Sequence, residues 1–415
     1  MVKNRYIQKP ASAYRMIKKY GFLIFQIRML ERLHRRLNPG SAVKLHSFAK
    51  IEDILEADWS NIDKSIFNPK IKDKDKYTIN WVMSPPGKGS GGHQNLFRFM
   101  QYLEKAGHNN NIYLYSTVDS RKIDAIKEVV NDGSYADLKA SSKMRWLKKD
   151  MVPADAIFAT GWETAYPVFN SKVPAKRFYF VQDFEPYFYP VGSEYSLAEN
   201  TYRFNFNGIT AGGWLATKLN TEYGMTTDHY SFGADKQLYK LQNTKKRKEI
   251  FFYARPVTPR RGFELGIMAL TKFHEKHPEY TINLAGWDVR EYEIPFPYVN
   301  LMSMPLNELS EVYNRCSAAL VISLTNMSLL PLELLACGTI PVVNDAPNNR
   351  LVSDNEYIAY TPNNPRAMAN RLSEIVTMKD LPKYSKKAAN SVEGANWDDS
   401  GKTFVDLFEK RMKNG

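Results

Sequence analysis

The strongest constraint in this chain is a double alternation of strand-like and helix-like runs. Tyr77–Met83 reads as a strand, Leu96–Lys105 as a helix and Ile112–Tyr115 as a second strand. Ile157–Ala159, Phe178–Val181 and Ile209–Ala211 follow as short apolar strands, the last leading into a helix through Trp214 and Leu219. A second series starts near Ile250: strands at Ile250–Tyr253, Tyr280–Ala285, Ala318–Ser323 and Ile340–Asn344. Helical runs at Phe263–His274, Leu306–Tyr313, Leu332–Cys337 and Arg366–Val376 alternate with them. Strand and helix in strict alternation predict parallel sheets covered by helices on both faces. Two such series predict two α/β domains with a ligand-binding cleft between them. The polar stretch Asp235–Lys248 is the expected boundary.

The length of 415 residues allows two or three domains. The only cysteines are Cys316 and Cys337, with no metal-ligand spacing around them, so a reducing compartment is expected. No run reaches the length of a membrane span and no signal peptide is visible, so a cytoplasmic protein is expected. The formal charge of +13 is unevenly spread. Residues 1–40 hold ten Lys and Arg against Glu31 alone, so nine of the excess charges lie there. A local basic arm, not a nucleic-acid face, explains the charge. Residues 12–37 read as a helix with apolar and basic sides. A peripheral contact with anionic lipid and ordinary packing on the domain are both open. Residues 50–76 read as a polar connector.

Gly87, Gly89 and Gly92 match G-x-G-x-x-G after the first strand. The second strand carries no acidic residue to hold a ribose, so a dinucleotide site is not expected. What remains is a turn where glycine lets backbone approach a ligand, next to a helix N-terminus. The stretch from Ser323 to Gly338 carries more. A strand ends, a loop follows, and a helix opens near Pro331. The amides of residues 328–332, Ser328, Leu329 and Leu330 among them, are expected to face an anion. Glu333 is placed either to accept ribose hydroxyl hydrogen bonds or simply to offset the helix dipole. Arg255 follows a strand and Arg261 precedes a helix; their guanidinium forks suit a diphosphate and the charge building on a leaving group.

These residues resemble the retaining GT-B glycosyltransferases of family 4. Ala254-Arg255 and Arg261-Gly262 sit where that family binds the donor diphosphate. Ala336-Cys337-Gly338-Thr339-Ile340-Pro341-Val342-Val343 resembles its helix exit, and Glu333 takes its second glutamate. Thr325 occupies the first glutamate position, and Gln182 stands where the family often has histidine; both are departures. Gly91-Gly92 resembles the glycine turn facing the reacting sugar, and Ser231–Asp235 the interdomain linker. The resemblance spans roughly residues 77–390. The combination Phe180-Val181-Gln182-Asp183-Phe184-Glu185-Pro186 with Thr325–Pro331 is most similar to bacterial S-layer rhamnosyltransferases of the WsaF type.

The resemblance implies the GT-B fold, two Rossmann-like doubly wound domains facing across a cleft. The basic arm and connector take residues 1–76 and an acceptor-binding domain 77–235. A nucleotide-sugar domain takes 236–390, and a terminal helix, 391–415, returns to the first domain. It implies retaining transfer of L-rhamnose from dTDP-β-L-rhamnose to a growing rhamnan, lipid-linked in one version, giving a β linkage. Donor contacts fall to Arg255, Arg261, Ser328, Leu329, Leu330, Glu333, Gly286 and Met302. Acceptor-side contacts fall to Gly91, Gly92, His93, Gln182, Asp183 and Glu163. Asp183, Arg255 and Arg261 carry the catalytic assignment. Asp183, Glu163 and Glu185 are the carboxylates available to a double displacement; a front-face route uses the donor phosphate instead. No cofactor, metal or nucleic acid is expected, and Asp73-Lys74-Asp75 reads as a solvated charge run. Trp287 either stacks on the base or is a buried aromatic. Two rivals stay open: a sugar-nucleotide 2-epimerase of the same fold, and a non-catalytic polyanion or membrane binder using the basic arm.

Overall fold

The computed structural model describes residues 29, 30, 33, 45–87, 90–119, 121–131 and 137–413. Residues 47–415 form one compact unit and residues 1–46 another. In the smaller unit, Met29, Leu30 and Leu33 are helical and exposed. The rest of the amphipathic stretch 12–37, like Lys88-Gly89 of the glycine turn, lies outside the described residues.

The larger unit holds two sheets. The first contains β1 (Thr78–Met83), β2 (Asn109–Leu114), β3 (Arg145–Trp146), β4 (Ala156–Ala159), β5 (Lys176–Val181), β6 (Asn207–Ala211) and β7 (Thr226–Tyr230), in the order β3-β2-β1-β4-β5-β6-β7. The second contains β8 (Glu249–Tyr253), β9 (Thr281–Ala285), β10 (Val299–Met302), β11 (Cys316–Val321), β12 (Ile340–Asn344) and β13 (Ala359–Thr361), in the order β10-β9-β8-β11-β12-β13. Every strand pair is parallel. The central strands β4, β5, β11 and β12 are buried along their whole length, as expected for sheets covered on both faces. Strands β3, β7, β10 and β13 were not visible as apolar runs. They lie toward or at the sheet edges, where the burial that writes such a run is incomplete.

Four helices shape the cleft. Helix α1 (Gly91–Lys105) buries Leu96, Phe99, Met100 and Leu103 on one face, the spacing of a single helical stripe. Helix α2 (Phe263–His274) packs so tightly on β8 that a Cβ at Gly266 would lie 2.1 Å from the Phe252 ring. Helix α3 (Leu330–Ala336) is short, with Pro331 in its first turn. Helix α4 (Trp397–Lys413) lays Phe404, Phe408 and Met412 against the first sheet. Phe404 meets Phe99 at 4.7 Å between ring centroids, and Phe408 meets Phe178 at 5.4 Å. The buried Lys176 ammonium donates to the Arg411 and Met412 carbonyls at 2.8 Å, closing the α4 C-terminus. The outward and returning linkers touch: the Ala234 amide donates to the Ala395 carbonyl at 3.0 Å.

The stretch read as a polar connector is folded. Helices span Ile51–Glu56 and Lys64–Phe67, and Phe67 packs edge-on against Phe169 at 4.7 Å. Its apolar residues are too sparse to show periodicity, yet they pack on the first sheet's layer of helices.

Gly266 joins α2 to the strand that delivers Arg255. Gly266→Ala is expected to cost about 1–3 kcal/mol, the usual penalty of overpacking, seen as a lower denaturant midpoint with an unchanged slope.

Candidate functional site

In each sheet the strand order reverses beside one strand pair, β1/β4 in the first and β8/β11 in the second. Loops at the carboxyl ends of such pairs diverge to opposite faces and leave a crevice. Here both crevices open onto one cleft of about 860 Å³.

The second lobe supplies its cations. Arg255 and Arg261 both line the cleft. Arg255 donates to the Tyr253 hydroxyl at 3.1 Å, and its Nε is buried without a hydrogen-bond partner among the described residues. Arg261 donates to Ser323 Oγ at 3.0 Å. Burial pulls the Arg261 guanidinium below its ordinary pKa, and the nearby Asp183 charge opposes that. Gly262 makes the placement possible. It holds φ +57°, and a side chain there would strike Ile322 at 2.7 Å, so the turn Pro259–Arg261 lies flat on the end of β11. Ser323 is itself pinned by Asn344, Asn348 and Asn349, whose side-chain amides all donate to its carbonyl.

From the same lobe, Ser328, Leu329, Leu330 and Glu333 line the same cleft. The expected row of free amides at 328–332 is shorter than the sequence reading had it. Pro331 has no N–H, and the Leu332 amide is bonded to the Leu329 carbonyl at 3.1 Å. Residues 328–330 remain. Burial raises the Glu333 carboxyl to about 7, with Arg98 pulling it down.

Gly286 lines the cleft with φ +111°, where a Cβ would lie 2.6 Å from the Tyr253 ring. Met302 needs correction. Its side chain is 46% exposed, and Ser303 and Met304 line the cleft in its place. Its carbonyl accepts the Gly286 amide at 2.6 Å, and its positive φ turns the chain so that the next two residues face inward. Trp287 is 40% exposed, so it is not the buried aromatic of one reading; it is also absent from the cleft wall.

The first lobe supplies carboxylates and rings. Gly91, Gly92, His93, Gln182, Asp183, Glu163 and Glu185 all line the cleft. His93 is spent structurally. Its Nε2 bonds the Ser84 carbonyl at 2.9 Å and its Nδ1 the Ser90 hydroxyl at 2.8 Å, clamping the two ends of the glycine turn. Burial lowers its pKa, which favours the neutral ring. Gln182 donates to the Gly92 carbonyl at 3.1 Å. Asp183 turns to the other lobe: Thr325 Oγ1 and the Asn326 amide donate to it at 2.9 and 2.8 Å, and Arg260 Nε stands 3.6 Å away.

Glu185 accepts from the Trp162 amide at 2.5 Å and the Tyr179 hydroxyl at 3.1 Å. Burial, then the Glu163 charge, pushes Glu185 well above the ordinary carboxylate range. Burial raises Glu163 as well. Burial and, at Glu185, the neighbouring Glu163 charge thus disfavour the charged forms here. Phe48, Trp162, Phe188 and Tyr189 surround them. Sequence reading missed Phe48, Arg260 and Asn326 as cleft residues. Arg260 had a signal in its neighbour Arg261; Phe48 and Asn326 had none. Among the described residues no group of three or more metal-ligating side chains occurs, and Asp73 and Lys74 instead bond Tyr77 and Asp155.

Comparison with known proteins bears on this geometry. Residues 138–211 match the family model "WsaF, N-terminal domain", and residues 248–373 match "WsaF, C-terminal domain". Over these two stretches the chain resembles WsaF in both sheet-bearing lobes. It is 29% identical over 333 residues to the O-antigen biosynthesis protein RfbC of Myxococcus xanthus, a match covering 77% of this chain and 26% of that protein. The chain thus spans about a quarter of that relative's length. Among solved structures, HepE of Anabaena in complex with UDP-glucose superposes with a TM-score of 0.61 at 14% identity, covering 80% of this chain and 100% of that one. TarM superposes at 0.63 with 8% identity, covering 80% and 98%. Sucrose-phosphate synthase of Thermosynechococcus elongatus gives 0.58 at 14%, covering 81% and 100%. These structural likenesses establish the chain's fold.

The raised Glu333 carboxyl sets a pH dependence of stability. A carboxyl raised from 4.5 to about 7 favours the folded state below pH 4.5, and this contribution is lost as pH rises through 7. Glu333→Gln removes the loss. Its melting temperature should therefore gain on that of the wild type between pH 4.5 and 8, measured without ligand; parallel curves would rule the buried proton out.

Proposed function

We propose that this chain transfers a sugar from a nucleoside-diphosphate donor to a growing polysaccharide, with retention of anomeric configuration. The observation that carries the reading is that Arg255, Arg261 and residues 328–330, all supplied by the second lobe, line one cleft. A leaving diphosphate fits between guanidinium forks and amide hydrogens, which stabilise the charge that develops as the glycosidic bond breaks. Glu333, at the next turn of the same segment, accepts the ribose hydroxyls. Tyr253, Gly286, Ser303 and Met304 wall the remaining space for the base. Family likeness and the WsaF-type residues support dTDP-β-L-rhamnose as donor, a rhamnan as acceptor and a β-linked product.

The acceptor enters between the first lobe's rings and carboxyls. Its hydroxyl oxygen attacks the anomeric carbon, the carbon–phosphate-oxygen bond breaks, and the hydroxyl proton passes to the departing phosphate. This front-face route is preferred because both Asp183 oxygens already accept hydrogen bonds and burial disfavours the charged forms of Glu163 and Glu185. The arginines supply the positive charge that a divalent ion provides elsewhere, so transfer should persist in a chelator such as EDTA.

The test is incubation with dTDP-β-L-rhamnose, UDP-glucose and rhamnosyl acceptors, with product analysis. Rhamnosyl product from the first donor alone supports the reading. Transfer from UDP-glucose alone moves the donor assignment, and a new nucleotide sugar without acceptor favours an epimerase. Arg255→Ala, Arg261→Ala and Glu333→Ala should each weaken donor binding or turnover. Loss of one charge-assisted bond costs about 1.5–3 kcal/mol, roughly ten- to hundred-fold. Wild-type turnover in all three would remove this donor site. For the basic stretch 12–37 the proposal of a peripheral contact with anionic lipid rests on sequence. Co-sedimentation with phosphatidylserine vesicles, with and without residues 1–40, tests it; equal partition of both forms would dismiss it.

A further inference from the structure

We infer that Asp183, Thr325 and Asn326 form a cross-cleft tie that positions the donor loop, and that Asp183 acts as a positioning residue and not as a proton acceptor. The inference rests on the glycosyltransferase reading above and assigns a role within that site. Asp183 follows β5 of the first lobe, while Thr325 and Asn326 lie on the loop after β11 of the second. One carboxylate oxygen of Asp183 accepts from the Thr325 hydroxyl at 2.9 Å. The other accepts from the Asn326 amide at 2.8 Å and from the amide of Phe184 at 2.9 Å. The Asn326 side chain completes the grip. Its Nδ2 donates to the carbonyls of Gln182 at 3.1 Å and Ala211 at 2.9 Å, the residues ending or just beyond β5 and β6. Thr325 and Asn326 are 1% and 2% exposed, so water does not compete for these bonds.

Position explains the purpose. The tie ends two residues before Ser328, where the amides facing the diphosphate begin. On its other side Gln182, adjacent to Asp183, donates to Gly92 of the glycine turn. One knot therefore sets the register between the loop that holds the leaving group and the turn that faces the reacting sugar. It also takes up the ordering of that loop before ligand arrives, which would otherwise weaken binding.

The tie accounts for a hydroxyl at 325. A carboxylate there would set a like charge against Asp183 in a desolvated place. Valine would leave one Asp183 oxygen with Arg260, 3.6 Å away, as its remaining partner. Threonine donates a hydrogen bond without adding charge. Asp183 and Thr325 are thus a matched pair. A carboxylate whose two oxygens already hold three hydrogen bonds and face Arg260 has little left for an incoming hydroxyl proton.

The test uses the full chain with Thr325→Val, Thr325→Ser, Asp183→Ala and the Asp183→Ala/Thr325→Val double variant. Deoxythymidine diphosphate affinity is measured by calorimetry, and donor KM and kcat by transfer assay. Thr325→Val should weaken diphosphate binding and raise donor KM about tenfold, with a smaller change in kcat, and Thr325→Ser should restore both. The double variant should bind no more weakly than Asp183→Ala alone, because the second change removes a bond already broken. Additive losses, or wild-type affinity in Thr325→Val, would overturn the tie. Asp183→Ala with intact diphosphate affinity and a loss confined to kcat would make it the proton acceptor. Should Thr325→Val not fold, Thr325→Ala replaces it with the same expectations. Arg261→Ala separates the two failures. If it also leaves diphosphate binding unchanged, the donor site itself is misplaced; if it weakens binding while Thr325→Val does not, only the tie fails.

Discussion

In each lobe the strand order reverses once, and the loops on either side of that reversal must part. The cleft exists because both reversals face the same space. Most residues assigned to the site sit on loops or first helical turns at the carboxyl ends of strands beside or near a reversal. Arg255 follows β8, Thr325 and Asn326 follow β11, the glycine turn follows β1, and Glu163 follows β4. The strands hold these positions because they are buried on both faces, which leaves their backbones no freedom to shift. Function is concentrated where the sheets stop and the chain is free to vary.

The cleft is electrically divided. The second lobe brings guanidinium groups and amide hydrogens, and the first brings Glu163, Asp183 and Glu185. Desolvation raises all three carboxyls, but their partners differ. Asp183 meets Arg260, the Asn326 amide, Arg261 and Thr325, each of which favours its charged form. Glu185 meets another carboxyl, which favours the neutral one. On the proposed function, this division would set a negative leaving group and a neutral, hydroxyl-rich acceptor against differently charged walls.

Much of this was legible in the chain itself. The two alternating series, the strand-end Arg255, and Arg261 before Gly262 are local patterns, and local patterns are written by spacing. The misreadings share one cause. Residues 50–76 read as a polar connector because their apolar residues are few and serve a neighbouring surface. His93 looked available because a hydrogen bond to a carbonyl nine residues away leaves no mark in a sequence. Met302 gives way to its next two neighbours because a positive φ, not a side-chain type, decides which residue faces inward.

Sequence alone therefore determined the architecture and the cationic half of the site, since periodicity and the chemistry of arginine need no partner to be recognised. Only the tertiary structure decided what the carboxyls do. Asp183 is gripped from a loop 142 residues away and Glu185 is paired with a second acid across a strand end. The charge state and freedom of a carboxyl are set by what surrounds it in space, and that information is absent from the order of residues along the chain.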